Sequence, residues 1–367
     1  MKRWLSIFIV IVLLLGIAAC GSTAQPESAA PAPQEKATEK VEAPAAATEA
    51  PAAATEAPVE QAAAASEEPS APAVTKETAS GTYKAPAPGF DPVPLAEGAQ
   101  ASCQQGLKYS GGTARIAYMP PATEFNYYIA IGEGIKQKAA ELGAETFMLA
   151  PQSGSDIAGQ MGMIQDVLTQ GVDAIILSTH DENAAAPLVE QAVKQGVAVI
   201  IVNSDIADFP TPVHGVVGYS QRNGTHKEGE YILDMVGGQA KVGVLEGLPG
   251  YHSTERIGGY MDAFAGKDGM EVVASLPTSW NVETGNSAMM DMLQAHPEIN
   301  VVVTANDYIA IGAAKAAEAL GRSDVLIFGN DGDTTGLEEI AAGKWTATVN
   351  TTPFVMGQIV TQVTMDC

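Results

Sequence analysis

The chain has little basic charge. Only 19 of its 367 residues are Lys or Arg, against 43 Asp or Glu, and the formal net charge is -24. Proteins that bind nucleic acid neutralise its phosphates with clusters of Lys and Arg. The composition therefore argues against a nucleic-acid partner and indicates an acidic, solvated surface.

Cysteine is also scarce, with three in the chain. Cys20 belongs to the N-terminal segment discussed below, Cys103 precedes the first predicted strand of the folded part, and Cys367 is the last residue. Outside the cytoplasm such a pair can oxidise. Cys103 and Cys367 are therefore a candidate disulfide closing a loop of roughly 260 residues, with two free thiols as the alternative.

Long apolar runs are missing except near the N-terminus. Residues 4–15 are almost continuously apolar, after Lys2 and Arg3, and the small residues Ala18 and Ala19 precede Cys20. The run is shorter than the ~20 residues of a membrane-spanning helix and has the pattern of an export signal. Its end resembles the bacterial lipobox, in which the cysteine is acylated, although an ordinary cleaved signal with a chance cysteine is the alternative. We predict a lipoprotein signal peptide at 1–20 and an exported protein that Cys20 anchors to the cell membrane, facing the periplasm or exterior.

Large apolar side chains are rare between residues 21 and 100. Ala, Pro, Glu and Thr dominate this segment, and residues 43–49 are followed at once by an identical copy at 50–56. A segment of this composition cannot bury enough surface to offset its ordering entropy. It is predicted to be a disordered tether between the membrane and the folded part.

From residue 115 onwards, short apolar runs alternate with amphipathic helical stretches. Predicted strands lie at 115–119, 145–149, 174–177 and 197–202, and again at 241–245, 271–274, 301–304 and 325–328. Continuous β-branched strands alternating with helices indicate βαβ units with buried parallel sheets. The predicted fold class is α/β, with two doubly wound parallel-sheet lobes around a ligand cleft. The first lobe comprises 101–217 with 352–367, and the second comprises 218–351.

Chemically informative side chains follow the predicted strands. In open α/β sheets, ligands bind outside the carboxyl ends of the strands. Aromatic rings there can stack on the C–H faces of a sugar, while carboxylates, amides and a guanidinium can bind its hydroxyls. The candidate ligand-binding residues are Tyr127, Tyr128, Asn203, Arg256, Trp280, Asn306, Asp331 and Thr351.

Each of these residues also has a purely structural interpretation. Asn306 or Asp331 could cap the following helix, because Asn and Asp are favoured N-caps. Tyr127 and Tyr128 could be a core aromatic pair, and Arg256 could form a surface ion pair. Seven loops carry residues of this kind. A separate structural role for every one of them is less favoured than a single binding site.

No catalytic, cofactor or metal motif is complete. The segment 218–222 begins like a nucleophile elbow but lacks the closing glycine, and the five histidines have no metal-ligand spacing. The triplet His180-Asp181-Glu182 is interpreted as a solvated strand-end loop rather than a metal site. We therefore predict that the chain is not an enzyme and uses no cofactor and no metal.

Several segments together resemble the type I periplasmic sugar-binding proteins, in particular their ribose-binding branch. These are 115–134, Glu255-Arg256-Ile257-Gly258-Gly259-Tyr260, 306–312 and Phe328-Gly329-Asn330-Asp331-Gly332. The resemblance implies that Tyr127 and Tyr128 stack on a sugar from the first lobe and that Trp280 covers it from the second. It also implies polar ligand contacts from the second lobe by Arg256, Asn306 and Asp331.

The chain departs from that family pattern at three positions. Asn203-Ser204 stands where the family has Asp-Arg, Phe125 where Asn is common, and Thr351 where Gln is common. The resemblance therefore implies the class of ligand rather than one particular sugar. Relatives also continue past the last helix, so the resemblance predicts that the chain is incomplete at Cys367.

The resulting hypothesis is a monomeric substrate-binding lipoprotein. It would capture a monosaccharide or similar small polyol by hinge closure and deliver it to the permease of an ABC importer. The alternative is a sensing module that presents a sugar or furanosyl signal to a chemoreceptor or sensor kinase.

Overall fold

The computed structural model describes residues 107–367 and two short strands before them. These strands, β1 (Thr75–Thr78) and β2 (Gly81–Lys84), pair antiparallel within the segment predicted to be a tether. The predicted signal peptide with Cys20, the rest of the tether and Cys103 lie outside the described residues.

The first lobe is built on five parallel strands in the order β4-β3-β5-β6-β7. The strands are β3 (Arg115–Met119), β4 (Glu145–Met148), β5 (Ala174–Leu177), β6 (Ala198–Val202) and β7 (Gly215–Val217). Between them run α1 (Asn126–Leu142), α2 (Ile157–Gln170) and α3 (Glu182–Lys194). All four strand pairings are parallel, as the continuous apolar runs predicted.

The second lobe repeats this plan, with strand order β9-β8-β10-β11-β12. Its strands are β8 (Ala240–Glu246), β9 (Met270–Pro277), β10 (Val301–Thr304), β11 (Leu326–Asp331) and β12 (Ala347–Asn350). Its helices are α4 (Gln221–Val236), α5 (Tyr251–Phe264), α6 (Val282–Ala295), α7 (Asp307–Ala319) and α8 (Thr334–Ala341), and α9 (Pro353–Asp366) follows β12. Counted along the chain, both sheets have the order second, first, third, fourth, fifth. The predicted pair of doubly wound parallel-sheet lobes is confirmed.

Both faces of each sheet are covered. In β3, Ile116 and Tyr118 pack into one apolar cluster, while Ala117 and Met119 pack into another on the opposite face. All four side chains are at most 1% exposed. Because neither face meets water, these strands are apolar throughout instead of alternating.

The chain crosses between the lobes after β7 and again after β12. Helix α4 follows a first-lobe strand but packs against α5 and β12, whereas α9 follows a second-lobe strand but packs against α1 and β6. Each lobe therefore contains a helix supplied by the chain as it crosses. Within residues 107–367, these two crossings join the lobes.

Three helix pairs meet through glycines. They are α1 with α9, α4 with α5, and α6 with α7, and each helix contributes at least one glycine to the contact. In α6 and α7, a Cβ on Gly312 would overlap the carbonyl oxygen of Val282, and a Cβ on Gly285 would lie 2.7 Å from the carbonyl oxygen of Ile309. Each obstacle is backbone, so these helices lie too close together to admit any side chain at the contact.

Cys367 directly follows α9 and is disulfide-bonded. It is the only cysteine in the stretch 107–367, so its partner lies outside the described residues. The pairing of Cys103 with Cys367 stays a prediction. Within the part of the chain that the structure describes, no helix combines the length and the apolarity required to span a membrane.

Candidate functional site

A cavity lies between the carboxyl ends of the two sheets, and the empty space there, including solvent open to the outside, is about 310 Å³. Its lining side chains are Phe125, Tyr127, Tyr128, His180, His252, Arg256, Trp280, Asn306 and Asp331. Six of the eight residues predicted from the sequence are in this set, and the other two, Asn203 and Thr351, are not.

The first lobe contributes mainly aromatic rings. Phe125, Tyr127 and Tyr128 stand at the start of α1, directly after the loop that leaves β3. The two tyrosine rings meet edge to face, with centroids 5.3 Å apart, and Phe125 lies 6.0 Å from Tyr128 in the same manner. All three are at most 6% exposed. The tyrosines are thus a core aromatic pair, as one interpretation held, and they also line the cavity.

Asn203 and Thr351 lie behind Tyr127. The Tyr127 hydroxyl is 2.8 Å from Asn203 Oδ1 and 2.8 Å from Thr351 Oγ1, and Asn203 Nδ2 approaches the Tyr128 hydroxyl at 3.5 Å. Both residues therefore orient the tyrosines from outside the cavity. These are two of the positions at which the chain departs from the family pattern.

The second lobe contributes a buried ion pair. Arg256 Nη1 donates to Asp331 Oδ1 at 2.9 Å and to the carbonyl oxygen of Ala305 at 3.1 Å, while Nε donates to Gln221 Oε1 at 2.8 Å. Arg256 is 3% exposed and Asp331 4%, so the surface ion pair considered for Arg256 is wrong. The placement of Arg256 on a loop is also wrong, because it lies in the second turn of α5.

Burial dominates the ionisation of Asp331. It raises the pKa of this carboxyl to about 7, although the Arg256 guanidinium acts in the opposite direction. A carboxylate loses its hydrogen bonds to water on burial, and a small number of protein donors replaces them only in part. Asp331 would therefore gain from hydroxyl groups that donate to it.

Asn306 has both a structural and a cavity-lining position. Its Oδ1 accepts from Ile309 N at 2.9 Å, which caps α7, and its Nδ2 donates to the carbonyl oxygen of Trp280 at 3.1 Å. The capping interpretation is correct for Asn306. For Asp331 it is wrong, because Asp333 caps α8 instead.

Trp280 is buried with its indole Nε1 lacking any hydrogen-bond partner. The indole stacks on the imidazole of His180, with ring centroids 5.4 Å apart and an interplanar angle of 25°. Buried indole N–H groups normally find an acceptor. The contact with His180 also joins the two lobes.

Backbone strain is concentrated around this cavity. Among the non-glycine residues of 107–367, only four have positive φ, and three are predicted site residues: Asn203 (61°), Trp280 (67°) and Asp331 (149°). Such conformations are uncommon outside glycine and persist where the surroundings enforce them. Their coincidence with the cavity supports its assignment as the functional site.

Two histidines of the cavity were missed from the sequence. His180 is 8% exposed and Glu182 7%, so the interpretation of His180-Asp181-Glu182 as a solvated loop is wrong. The signal for His180 was its position after β5, because β3 and β5 flank the point where strand order reverses. His252 stands four residues before Arg256, which places both on one face of α5.

Hydrogen bonds determine the tautomer of both rings. His180 Nδ1 lies 3.0 Å from the carbonyl oxygen of Gly154, which can only accept, so Nδ1 carries the proton. Gln221 Oε1 accepts from Arg256 Nε and lies 3.0 Å from His252 Nδ1, which must therefore also donate. Burial lowers the pKa of His180 to about 4 and that of His252 well below its usual value. His180 is therefore neutral near pH 7 with Nε2 unprotonated, and the lowered pKa of His252 favours its neutral form.

The cleft is closed. The backbone N–H of Asn126 donates to the Tyr308 hydroxyl at 2.6 Å, and the Phe125 ring lies 5.0 Å from that of Tyr308. On the other side, the Tyr251 hydroxyl donates to Asp205 Oδ1 at 3.1 Å. Each of these contacts joins one lobe to the other. Within residues 107–367, no three acidic, histidine or cysteine side chains are grouped as metal ligands.

Comparison with known proteins agrees with this architecture. The model of the periplasmic binding protein domain matches residues 116–367. The ribose import binding protein of Bacillus subtilis is 30% identical over 240 residues, covering 65% of this chain and 77% of that protein. The D-apiose import binding protein of Actinobacillus succinogenes is 28% identical, covering 62% of this chain and 73% of its own.

A solved structure shares the fold. It is an ABC transporter periplasmic solute-binding protein of Actinobacillus succinogenes with bound D-allose, 26% identical, with a TM-score of 0.64. The match covers 69% of this chain and 91% of that one. The chain therefore belongs to the periplasmic binding protein family, as a type I sugar-binding protein related to the ribose import binding proteins.

Proposed function

We propose that the chain is the substrate-binding protein of an ABC importer, which captures a neutral monosaccharide or small polyol in the cleft and delivers it to the permease. The observation that carries this proposal is the closed cavity between the two sheets, lined by aromatic rings and one buried ion pair. Rings can cover the C–H faces of a sugar while Arg256 and Asp331 bind its hydroxyls.

The charge of the cavity favours a neutral ligand. Arg256 and Asp331 neutralise one another at 2.9 Å, and the two histidines carry no charge near pH 7. An anionic ligand would meet the Asp331 carboxylate, and a cationic one would meet the Arg256 guanidinium, each in a water-poor site. Hydroxyl groups satisfy both partners without adding charge.

The relatives support the same class of ligand. Their names record ribose, D-apiose and D-allose as the sugars that they bind or import. In this chain, Asn203 and Ser204 replace the charged pair of the family pattern, so the particular sugar need not be any of these. Because the relatives are binding proteins, they also support the prediction that the chain is not an enzyme.

A ligand screen tests the proposal. Purified protein would be heated with ribose, allose, apiose, arabinose, glucose, galactose or myo-inositol, and with a set of amino acids and organic acids. A ligand present at 100 times its Kd should stabilise the protein by about 2.7 kcal/mol. Stabilisation by at least one neutral sugar or polyol is expected, and calorimetry would then give its Kd. Stabilisation by charged ligands alone would contradict the proposal.

His180 is expected to weaken sugar binding as the pH is lowered from about 6.5 towards 4. Opening separates His180 from Trp280, so we expect His180 to regain its ordinary pKa near 6.5 in the open form, whereas in the closed form it is about 4. In this window closure must expel the proton of His180, which opposes binding by up to about tenfold per pH unit. His252, whose pKa burial also lowers, contributes with the same sign, whereas the raised pKa values of Asp331 and Glu182 have the opposite sign, because these carboxyl groups take up protons on closure. Calorimetry from pH 8 to 4.5 compares wild-type protein with His180→Gln, and the wild-type affinity should fall relative to that of the variant as the pH is lowered.

The membrane attachment is a separate proposal. If Cys20 is acylated after export, Cys20→Ala should release the protein from the membrane fraction or leave an unprocessed precursor. Fractionation of cells that express either form, followed by immunoblotting, makes the measurement. Cys103→Ala is the control and should remain in the membrane fraction. Unchanged processing and partitioning of Cys20→Ala would contradict the anchor.

A further inference from the structure

The first lobe offers the cavity few free polar atoms. Phe125 has none, and the Tyr127 hydroxyl is already shared between Asn203 and Thr351. The Tyr128 hydroxyl receives a long bond from Asn203. A sugar bound in the closed cleft would meet ring faces on this side. His180 is the remaining side chain of the first-lobe wall, and it can offer an acceptor there, whereas the Tyr128 hydroxyl can offer a donor.

His180 is held in one orientation. Its Nδ1–H donates to the carbonyl oxygen of Gly154 at 3.0 Å, and its ring lies against Trp280 on one side and Phe125, at 6.4 Å, on another. Its Nε2 has no hydrogen-bond partner among the described residues. The side chain is more than nine-tenths buried and lines the cavity. A fixed, unprotonated nitrogen in that position can only accept a hydrogen bond.

We propose that His180 Nε2 is the specificity-determining acceptor of the first lobe and binds one hydroxyl group of the captured sugar. This inference rests on the proposed function and deepens it. The ligand must present a hydroxyl donor towards the first lobe, in addition to those that reach Asp331 in the second. Sugars that lack a hydroxyl at this one position are rejected, because they leave the buried nitrogen without a partner.

Two matched variants test the assignment. In His180→Asn the amide can keep the hydrogen bond to Gly154 but does not reach the position of Nε2, whereas the longer amide of His180→Gln does. For the tightest-binding sugar of the screen, His180→Asn should lose about tenfold in affinity and His180→Gln no more than about threefold. Thermal unfolding of the ligand-free variants separates a loss of contact from a loss of structure.

Monodeoxy analogues of that sugar locate the hydroxyl. One analogue should bind wild-type protein about tenfold more weakly than the parent sugar does. In His180→Asn, the analogue and the parent sugar should bind with equal affinity, because the hydroxyl has already lost its partner. In parallel, the full chain labelled with 15N-histidine should show the His180 signal, assigned by its absence from His180→Asn, as an Nδ1–H tautomer. Addition of the sugar should shift its Nε2 resonance.

The outcomes are distinguishable. If no sugar stabilises the wild-type protein, the proposed function is wrong and this assignment falls with it. If sugars bind wild-type protein and His180→Asn equally, only the assignment is wrong. An Nε2–H tautomer of neutral His180 in the ligand-free protein at pH 8 would also overturn the assignment, whatever the affinity of the variants.

Discussion

Asp331→Ala is expected to weaken sugar binding at least about 30-fold. Its removal takes an acceptor from the ligand and leaves the Arg256 guanidinium buried in the closed form without its carboxylate. Leaving one member of a buried charged pair unpaired costs about 2–5 kcal/mol, and about 1.4 kcal/mol is a factor of ten in Kd. Titration calorimetry with the tightest-binding sugar measures the change. Arg256→Ala should weaken binding by a similar factor, because it leaves the Asp331 carboxylate buried without its guanidinium partner.

Arg222→Ala provides the matched control. Arg222 also forms a two-bond contact with a carboxylate, through Nε and Nη2 to Asp262 at 2.6 and 2.9 Å, and it joins the helices α4 and α5. That pair is exposed and does not line the cavity. Exposed ion pairs contribute little, so sugar affinity should be unchanged. Full affinity in Asp331→Ala would place the polar part of the site elsewhere.

Gly312→Ala is expected to destabilise the protein, although alanine is the better helix former. The added Cβ would overlap the backbone of α6 at Val282, so the α6–α7 pair must separate. Overpacking costs about 1–3 kcal/mol, against a gain of about 1 kcal/mol in helix propensity. Urea denaturation of the ligand-free protein measures the change in the free energy of unfolding.

Gly162→Ala should change stability in the opposite direction. Gly162 lies within α2, and a Cβ there would have no atom within 4 Å. The helix-propensity gain is then unopposed, and the free energy of unfolding should rise by about 0.5–1 kcal/mol. If Gly312→Ala and Gly162→Ala were equally stabilising, the close approach of α6 and α7 would not exist in solution.

The sheets could be predicted because their signal is local. Eight of the ten parallel strands were identified from apolar runs. Six of these, β3, β5, β6, β8, β10 and β11, are inner strands buried along most of their length, whereas β4 and β9 are partly exposed edge strands. The two that were missed close the edge of each sheet: β7 has three residues and contains Gly215, and the residues of β12 are half-buried or exposed. Helix α8, with eight residues, was missed as well. Short elements leave too few residues for a period to be recognised.

The site was only partly predictable, because the sequence cannot show which residues meet after closure. The position of Arg256 four residues after His252 was visible, but the bond of both to Gln221 depends on how α4 packs beside α5. Likewise, the stack of His180 on Trp280 joins residues that are 100 positions apart and belong to different lobes. Family resemblance identified the second-lobe polar residues, but it could not assign the histidines, since they are not part of the pattern that it supplied.

The unequal composition of the two cavity walls has a thermodynamic consequence. An entering sugar can exchange water for hydrogen bonds on the second lobe, where Arg256 and Asp331 stand, before the first lobe arrives. Closure then covers the sugar with Phe125, Tyr127 and Tyr128 and removes apolar surface from water, which lowers the heat capacity. Most of the negative heat-capacity change of binding should therefore arise in the closing step. The enthalpy of the hydrogen bonds to Arg256 and Asp331 should arise in the initial encounter. The protein would then bind a polyol through the second lobe while still open, and test the one hydroxyl that faces His180 only on closure.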